Sequence, residues 1–455
     1  MASDPTAPSP EQGRAPERWG SSLGFVLATA GSAVGLGNLW GFAYRASQGG
    51  GGAFVLLYVL IVLLVCLPVL VAEMVLGRST GHAPLIAPRT AGGRSWTPLG
   101  WLYLVAAIGI LSYYAVLMGW TGRSLVEALL RGLPETLAEA ETRFGAISSG
   151  GDGVIGHLIS LALTGGVVAA GVRGGIERLS RWGLPLLFLL LLGLALWAAA
   201  LPAAHAGYSA FLLRWEAGKL TDPTTIRNAF TQAFFSIGTG VGAIVAYATY
   251  LDRRSAIPGE AVAVVGMDTA VGLMAGCLTF PVVASFGLGD GVSSSTVGTL
   301  FIALPTGLAS LGGIGRLVAV LFFALACLAA ITSAVSLLEV PVSSLINRYG
   351  WSRHRAVWLC AGVIAVLGLP AALNVAVLER MDALFGGVLL IVGGLATALL
   401  LGWRAQERFR RDLTGSGSAR ELVASLLWAL RWISTPALAL GLAVSVADLL
   451  GRGAR

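Results

Sequence analysis

Residues 31–54 read GSAVGLGNLWGFAYRASQGGGGAF and follow the apolar run LGFVLATA of residues 23–30. Halfway along what reads as a membrane helix, the chain places Ser32, Gly35, Gly37 and Asn38. Glycine in a helix interior costs about 1 kcal/mol relative to alanine. Backbone groups freed inside lipid survive only where they face protein or a cavity. The stretch therefore reads as a helix that breaks to turn its peptide groups inward.

A second stretch behaves the same way. Residues 234–250, FFSIGTGVGAIVAYATY, crowd Gly238, Gly240 and Gly242 into the middle of another apolar run. Either cluster alone reads more readily as close helix packing through small residues. Two clusters in matching positions, with Asn38 and Ser236 at the breaks, favour a binding site.

The surrounding chain supports a membrane setting. It has 455 residues, 56% hydrophobic and 12% charged, against about 25% charged in a soluble domain. About eleven runs can cross a bilayer as helices. They lie near 20–43, 53–77, 98–130, 153–171, 182–201, 226–251, 258–287, 313–346, 356–373, 381–403 and 422–449. The breaks fall in spans one and six. An offset of five spans inverts one five-helix half relative to the other, the signature of an inverted repeat with a site near the midplane. The organisation read from this is a disordered cytoplasmic tail (1–17), a first repeat (18–201), an extracellular loop (202–225), a second repeat (226–404), and a cytoplasmic loop with span eleven (405–455). The tail lacks the features of a cleaved signal peptide.

The net charge of +7 reflects topology. With the N-terminus inside, the cytoplasmic segments hold most of the arginines, as the positive-inside rule requires. Nucleic acid is excluded as a partner on this ground. Cys66, Cys277, Cys327 and Cys360 stand singly in apolar runs and read as small buried hydrophobes. The four histidines have no ligand spacing. No Walker loop or H-E-x-x-H is present, and no nucleophile–base constellation supports an enzyme.

Polar groups at membrane depth are costly and mark function. Asn38, Glu73, Asp268, Glu339 and Asp382 lie in spans, and AAITSAVS of span eight carries Thr332, Ser333 and Ser336. An amide, hydroxyls, a carboxylate and freed carbonyls are hard oxygen donors, suited to Na⁺ rather than a transition metal.

These residues resemble a known family. RWGSSLGFVLATAGSAVGLGNLW, GGGGAF, LPVLVAEMVLGR, GGIERLSRWGLP, FFSIGTGVGA and AAITSAVSLLEV are together similar to the neurotransmitter:sodium symporters, from Trp19 to span eleven. The resemblance implies an all-α LeuT-type fold with 5+5 inverted repeats and spans one and six broken. It implies alternating access and import of an amino acid with one or two Na⁺ across the cell membrane. A first sodium site would use Ala33, Asn38, Ser236 and Asp268. A second would use Gly31, Val34, Ala329, Thr332 and Ser333. The substrate backbone would meet Ala33, Gly35, Leu36, Gly37, Ser236 and Ser333, with Tyr114 bonding its carboxylate. Ile110, Phe235, Gly238, Val241, Ser336 and Leu337 would line its side chain. Gly35 stands where monoamine carriers place an Asp, which favours an α-amino acid. Gly238 and Val241 are small, which favours a medium or large hydrophobic one. Asp268 supplies a fixed carboxylate where animal members use chloride, so chloride is not required. Gly175 and Pro185, with nine residues between them in span five, would let that helix end unwind, and Glu73 and Asp382 would belong to the gating apparatus.

Both gates depart from the family pattern. WGFAY replaces WRFPY, so Gly41 stands in place of the outer arginine, and Pro16 and Asn347 replace the inner pair. Arg45 is expected to reach Asp382 or Glu379, and Arg18 to substitute inside. The altered gates also carry two rival readings: an amino-acid-gated channel or sensor, and proton coupling through Asp268 or Asp382. Oligomeric state stays open.

Overall fold

The computed structural model describes residues 17–288 and 298–453. The expected tail, apart from Glu17, and Pro16 lie outside the described residues. Among those described, the chain is helical, with one isolated bridge between Gly51 and Trp215.

Among the described residues nine helices are long and apolar enough to cross a membrane: Gly52–Thr80, Arg94–Leu130, Gly150–Ala169, Val172–Ala199, Ile257–Phe286, Gly313–Tyr349, Arg353–Leu373, Val375–Arg404 and Arg420–Ala447. They are spans two to five and seven to eleven. Span one is the bent pair Ser22–Ala33 and Gly37–Gln48. Span six is Pro223–Ile237 followed by Ala243–Ala248. Nine of the eleven runs expected from hydropathy are thus single helices of spanning length, the bent pair of span one makes a tenth, and span six is divided into two shorter helices.

Packing sorts the spans into two groups. Spans three, four, eight and nine pack on one another, and spans one, two, six and seven on one another. Lipid-facing leucines and tryptophans such as Leu189, Leu196, Trp358 and Val366 stay exposed on the outside. Helix ends follow local chemistry. Ser21 caps span one by accepting from the N–H of Gly24 at 2.9 Å. Asp222 caps span six by accepting from the N–H of Thr225 at 2.9 Å, with Pro223 at the first turn. The connectors hold short helices of their own, Leu137–Ser148 outside and Gln406–Gly415 between spans ten and eleven. The second is pinned by Arg78 at the inner end of span two, which donates to Asp412 Oδ2 at 2.7 and 3.0 Å and to the carbonyl of Ser255 at 2.5 Å.

Candidate functional site

Both breaks are real. Span one ends its first half at Ala33, turns extended at Val34, and resumes with a 65° bend. Span six ends at Gly238 (φ +70°) and passes Gly240 (φ +89°) and Gly242 (φ +80°) before helix resumes. Left-handed backbone at three positions in five residues is what glycine allows and other residues resist.

Side chains take up the freed peptide groups. The N–H of Gly35 donates to Asn38 Oδ1 (3.2 Å) and that of Leu36 to the Tyr114 hydroxyl (3.2 Å). The carbonyl of Gly37 accepts from Gln232 Nε2 (3.3 Å), and that of Val34 from the Ser333 hydroxyl (3.2 Å). In span six, the N–H of Gly240 donates to Glu73 Oε1 (2.8 Å). No water is needed for any of these, which is the condition for a break inside lipid. Span ten presses directly on this second break. A Cβ at Gly240 would collide with the carbonyl of Leu390, and one at Gly393 with the carbonyl of Gly240.

Between the breaks lies a cavity with about 460 Å³ of space free of atoms. Ser32, Ala33, Gly35, Asn38, Ile110, Tyr114, Phe235, Gly238, Val241, Ser333, Leu337 and Leu390 line it. Polar groups of span one, Tyr114 and Ser333 form one end, and Ile110, Val241, Leu337 and Leu390 supply apolar walls. Phe235 packs against Gly37, where a Cβ would lie 2.8 Å from its ring. Ser336 is an exception to the expected lining: it accepts from the Ser32 hydroxyl at 2.6 Å, behind the wall. Leu36 and Gly37 flank the cavity through backbone groups only. Ser32 of the span-one break lines it, and so does Leu390, which was not expected.

Two oxygen clusters adjoin the cavity. Asn38 Nδ2 donates to Ser236 Oγ and to Asp268 Oδ1, both at 2.7 Å, and Ser236 Oγ donates to Asp268 Oδ2 at 2.7 Å. Asn38, Ser236 and Asp268 are all buried, and Ala33 lines the cavity beside Asn38. The residues expected at the first cation position, drawn from spans one, six and seven, therefore meet. Tyr58, unforeseen, joins them by donating to Asp268 Oδ2 at 3.3 Å. In the second cluster, Ser333 Oγ reaches the carbonyls of Val34 (3.2 Å) and Ala329 (3.3 Å), and Thr332 Oγ1 reaches that of Ala329 (3.1 Å). Gly31 faces Thr332, its Cβ position 3.4 Å from that of the threonine. All five residues expected there come together.

The gates correct the expectations. Arg45 folds back over Gly41, its Nη1 lying 3.2 Å from a Cβ at that glycine, and donates to Gln232 Oε1. Asp382 instead accepts from the Tyr113 hydroxyl at 2.8 Å. Among the described residues no contact ion pair joins Arg45 to Asp382 or Glu379; Arg45 and Asp382 attract each other only across a longer distance. Among the described residues no ion pair of the Arg18 side chain rebuilds the inner pair, and the Arg18 carbonyl accepts from Arg173 Nε at 2.9 Å. Asn347 Oδ1 accepts from the N–H of Ala83. The inner ion pair is one that was not foreseen. Arg353 at the start of span nine grips Glu339 of span eight with two bonds of 2.8 and 3.0 Å, and donates also to Glu17. Tyr250 donates to the same Glu339 at 2.8 Å. Gly175 lies in the first turn of span five, which widens into a π-turn over Val172–Glu177, and Pro185 lies midway along the span.

With this geometry established, comparison with known proteins is decisive. The family model described as sodium:neurotransmitter symporter family matches residues 16–143 and 154–449. The chain belongs to the sodium:neurotransmitter symporter family. Members of this family are sodium-dependent secondary transporters and not enzymes. A sodium-dependent transporter of uncharacterised substrate from Bacillus subtilis, YhdH, is 38% identical over 381 residues, covering 82% of this chain and 81% of its own. One from Methanocaldococcus jannaschii is 31% identical over 404 residues, covering 85% and 82%. The crystal structure of MhsT in complex with L-phenylalanine superposes with a TM-score of 0.86 at 32% identity, covering 95% of this chain and 100% of that one. The all-helical LeuT-type fold expected from the sequence is therefore the fold of this symporter.

Proposed function

We propose that this symporter imports a neutral α-amino acid with an apolar side chain, coupled to one or two Na⁺, by alternating access. The observation that carries the reading is the junction of the Asn38–Ser236–Asp268 cluster with a cavity closed at its polar end by Tyr114. A substrate carboxylate placed near Tyr114 and the N–H groups of the span-one break would complete the oxygen shell of a cation held by Ala33, Asn38, Ser236 and Asp268. The ion then strengthens substrate binding and the substrate strengthens ion binding, a reciprocal linkage. Gly31, Val34, Ala329, Thr332 and Ser333 offer neutral oxygens to a second Na⁺.

Gly238 and Val241 leave the far end roomy and apolar, which suits a hydrophobic side chain. The relative solved with L-phenylalanine and the 26% identical nutrient amino acid transporter of Drosophila melanogaster support the amino-acid class. Asp268 brings a carboxylate of the protein's own to the first cluster, the kind of group chloride would otherwise replace, so chloride is not needed. The arginine-rich inner loops support an N-terminus in the cytoplasm of a cell-membrane protein.

The test is uptake by the purified protein in proteoliposomes. A Na⁺ gradient is expected to drive saturable accumulation of one or a few hydrophobic amino acids, unchanged when gluconate replaces chloride. Accumulation driven by a pH gradient without Na⁺ would replace this reading with proton coupling. Currents without saturable uptake would replace it with a channel.

A further inference from the structure

Three contacts between the inner end of span five and the peptide leading into span one belong to no part of the site above. Arg173 Nε donates to the carbonyl of Arg18 at 2.9 Å, and its Nη2 to that of Trp19 at 3.3 Å. Four residues on, the Glu177 carboxylate accepts from the N–H of Gly20 at 2.7 Å. Positions i and i+4 share one helix face, so a cation and an anion on that face grip the carbonyls and the N–H of three consecutive residues. The fit depends on missing side chains. A Cβ at Gly24 would collide with Glu177, and one at Gly20 would lie 2.9 Å from Glu177 Oε1. Glu177 is buried, and it sits at the N-terminal end of the twelve-residue half-helix Ser22–Ala33, where the helix dipole favours an anion.

One turn further along span five, Ser180 is buried. Its Oγ lies 3.6 Å from the Cβ position of Gly31, which also faces Thr332. The same stretch of span five thus touches both the run-in to span one and the rear of the second oxygen cluster. Releasing the grip would let the widened turn at Val172–Glu177 swing away and open that cluster to the cytoplasm.

We propose that Arg173 and Glu177 form a clasp on the backbone of residues 18–20, and that this clasp is the positioning device that keeps the second cation site shut from the inside. The proposal rests on the reading of that cluster as a sodium site. It assigns a role to two residues, and to the glycines at 20 and 24, that the transport machinery described above does not use.

The experiment reads aqueous access from the inner side. Ser180→Cys is introduced, and its modification by a membrane-impermeant methanethiosulfonate is measured in inside-out vesicles in Na⁺, with the protein carrying only its four native cysteines as background. Glu177→Ala and Arg173→Ala are each expected to raise the labelling rate about tenfold, the shift that loss of one charge-assisted hydrogen bond permits. Glu177→Gln, whose amide oxygen still accepts from Gly20, is expected to return the rate toward that of Ser180→Cys alone. A rate unchanged by both alanine variants overturns the clasp, and so does an increase in Glu177→Ala that Glu177→Gln fails to reverse. Labelling that follows the clasp while no protein accumulates amino acid under a Na⁺ gradient would overturn the transport reading instead.

Discussion

Gly35 has no side chain, and the structure shows what one would displace. A Cβ there would sit 3.0 Å from Ser333 Oγ and 3.1 Å from the Tyr114 hydroxyl, in the space where a substrate backbone would rest. Gly35→Ala is expected to raise the amino acid concentration for half-maximal uptake by about tenfold or more while Na⁺-dependent thermal stabilisation of the purified protein persists. Loss of both would place the residue in the ion site instead. At this scale the sequence is most legible where chemistry is out of place. Asn38, Asp268, Thr332 and Ser333 stand out because a polar group in an apolar run demands a partner. Tyr58 and Leu390 do not stand out, since an aromatic or a leucine in such a run is ordinary until its neighbours are known. Arg45 was misjudged for a related reason. Its reach along its own helix can be counted, but the competing acceptor, Gln232, comes from another span.

At the scale of elements, the breaks were readable because three glycines within five residues leave few alternatives to left-handed backbone. The π-turns at Gly37–Gly41, Val172–Glu177 and Asp382–Leu389 were not, since packing against neighbours decides where a helix widens. The start of span six yields a pH-dependent test. The Thr225 hydroxyl and the Thr225 amide hold the Asp222 carboxyl below its usual range. A group with a lowered value in the folded state stabilises above its ordinary pKa, and that contribution is lost as pH falls through the lowered value. Asp222→Ala is therefore expected to lower Tm at neutral pH, by a cap of about 1 kcal/mol. The gap from the parent protein should close as pH drops below the normal carboxylate range, and a gap constant with pH would contradict the assignment.

For the whole molecule, the inner face is closed by charge. Glu339 and Arg353 are a buried pair, with side-chain exposures of 0% and 10%. Removing one member of such a pair costs about 3–5 kcal/mol because the other charge is stranded. Arg353→Ala is thus expected to lower the Tm of the purified protein sharply, and adding Glu339→Gln to recover much of the loss. A double variant no better than the single one would show that the two do not act as a pair. The long apolar helices were legible from hydropathy. The inner ion pair was not, because Glu339 and Arg353 meet only once spans eight and nine fold back on each other. The contact of Gly240 with Gly393 has a mechanical consequence. Backbone rests on backbone there, with no compressible side chain between, so the joint has no play. A tilt of span ten would therefore push on the bend in span six through main chain alone.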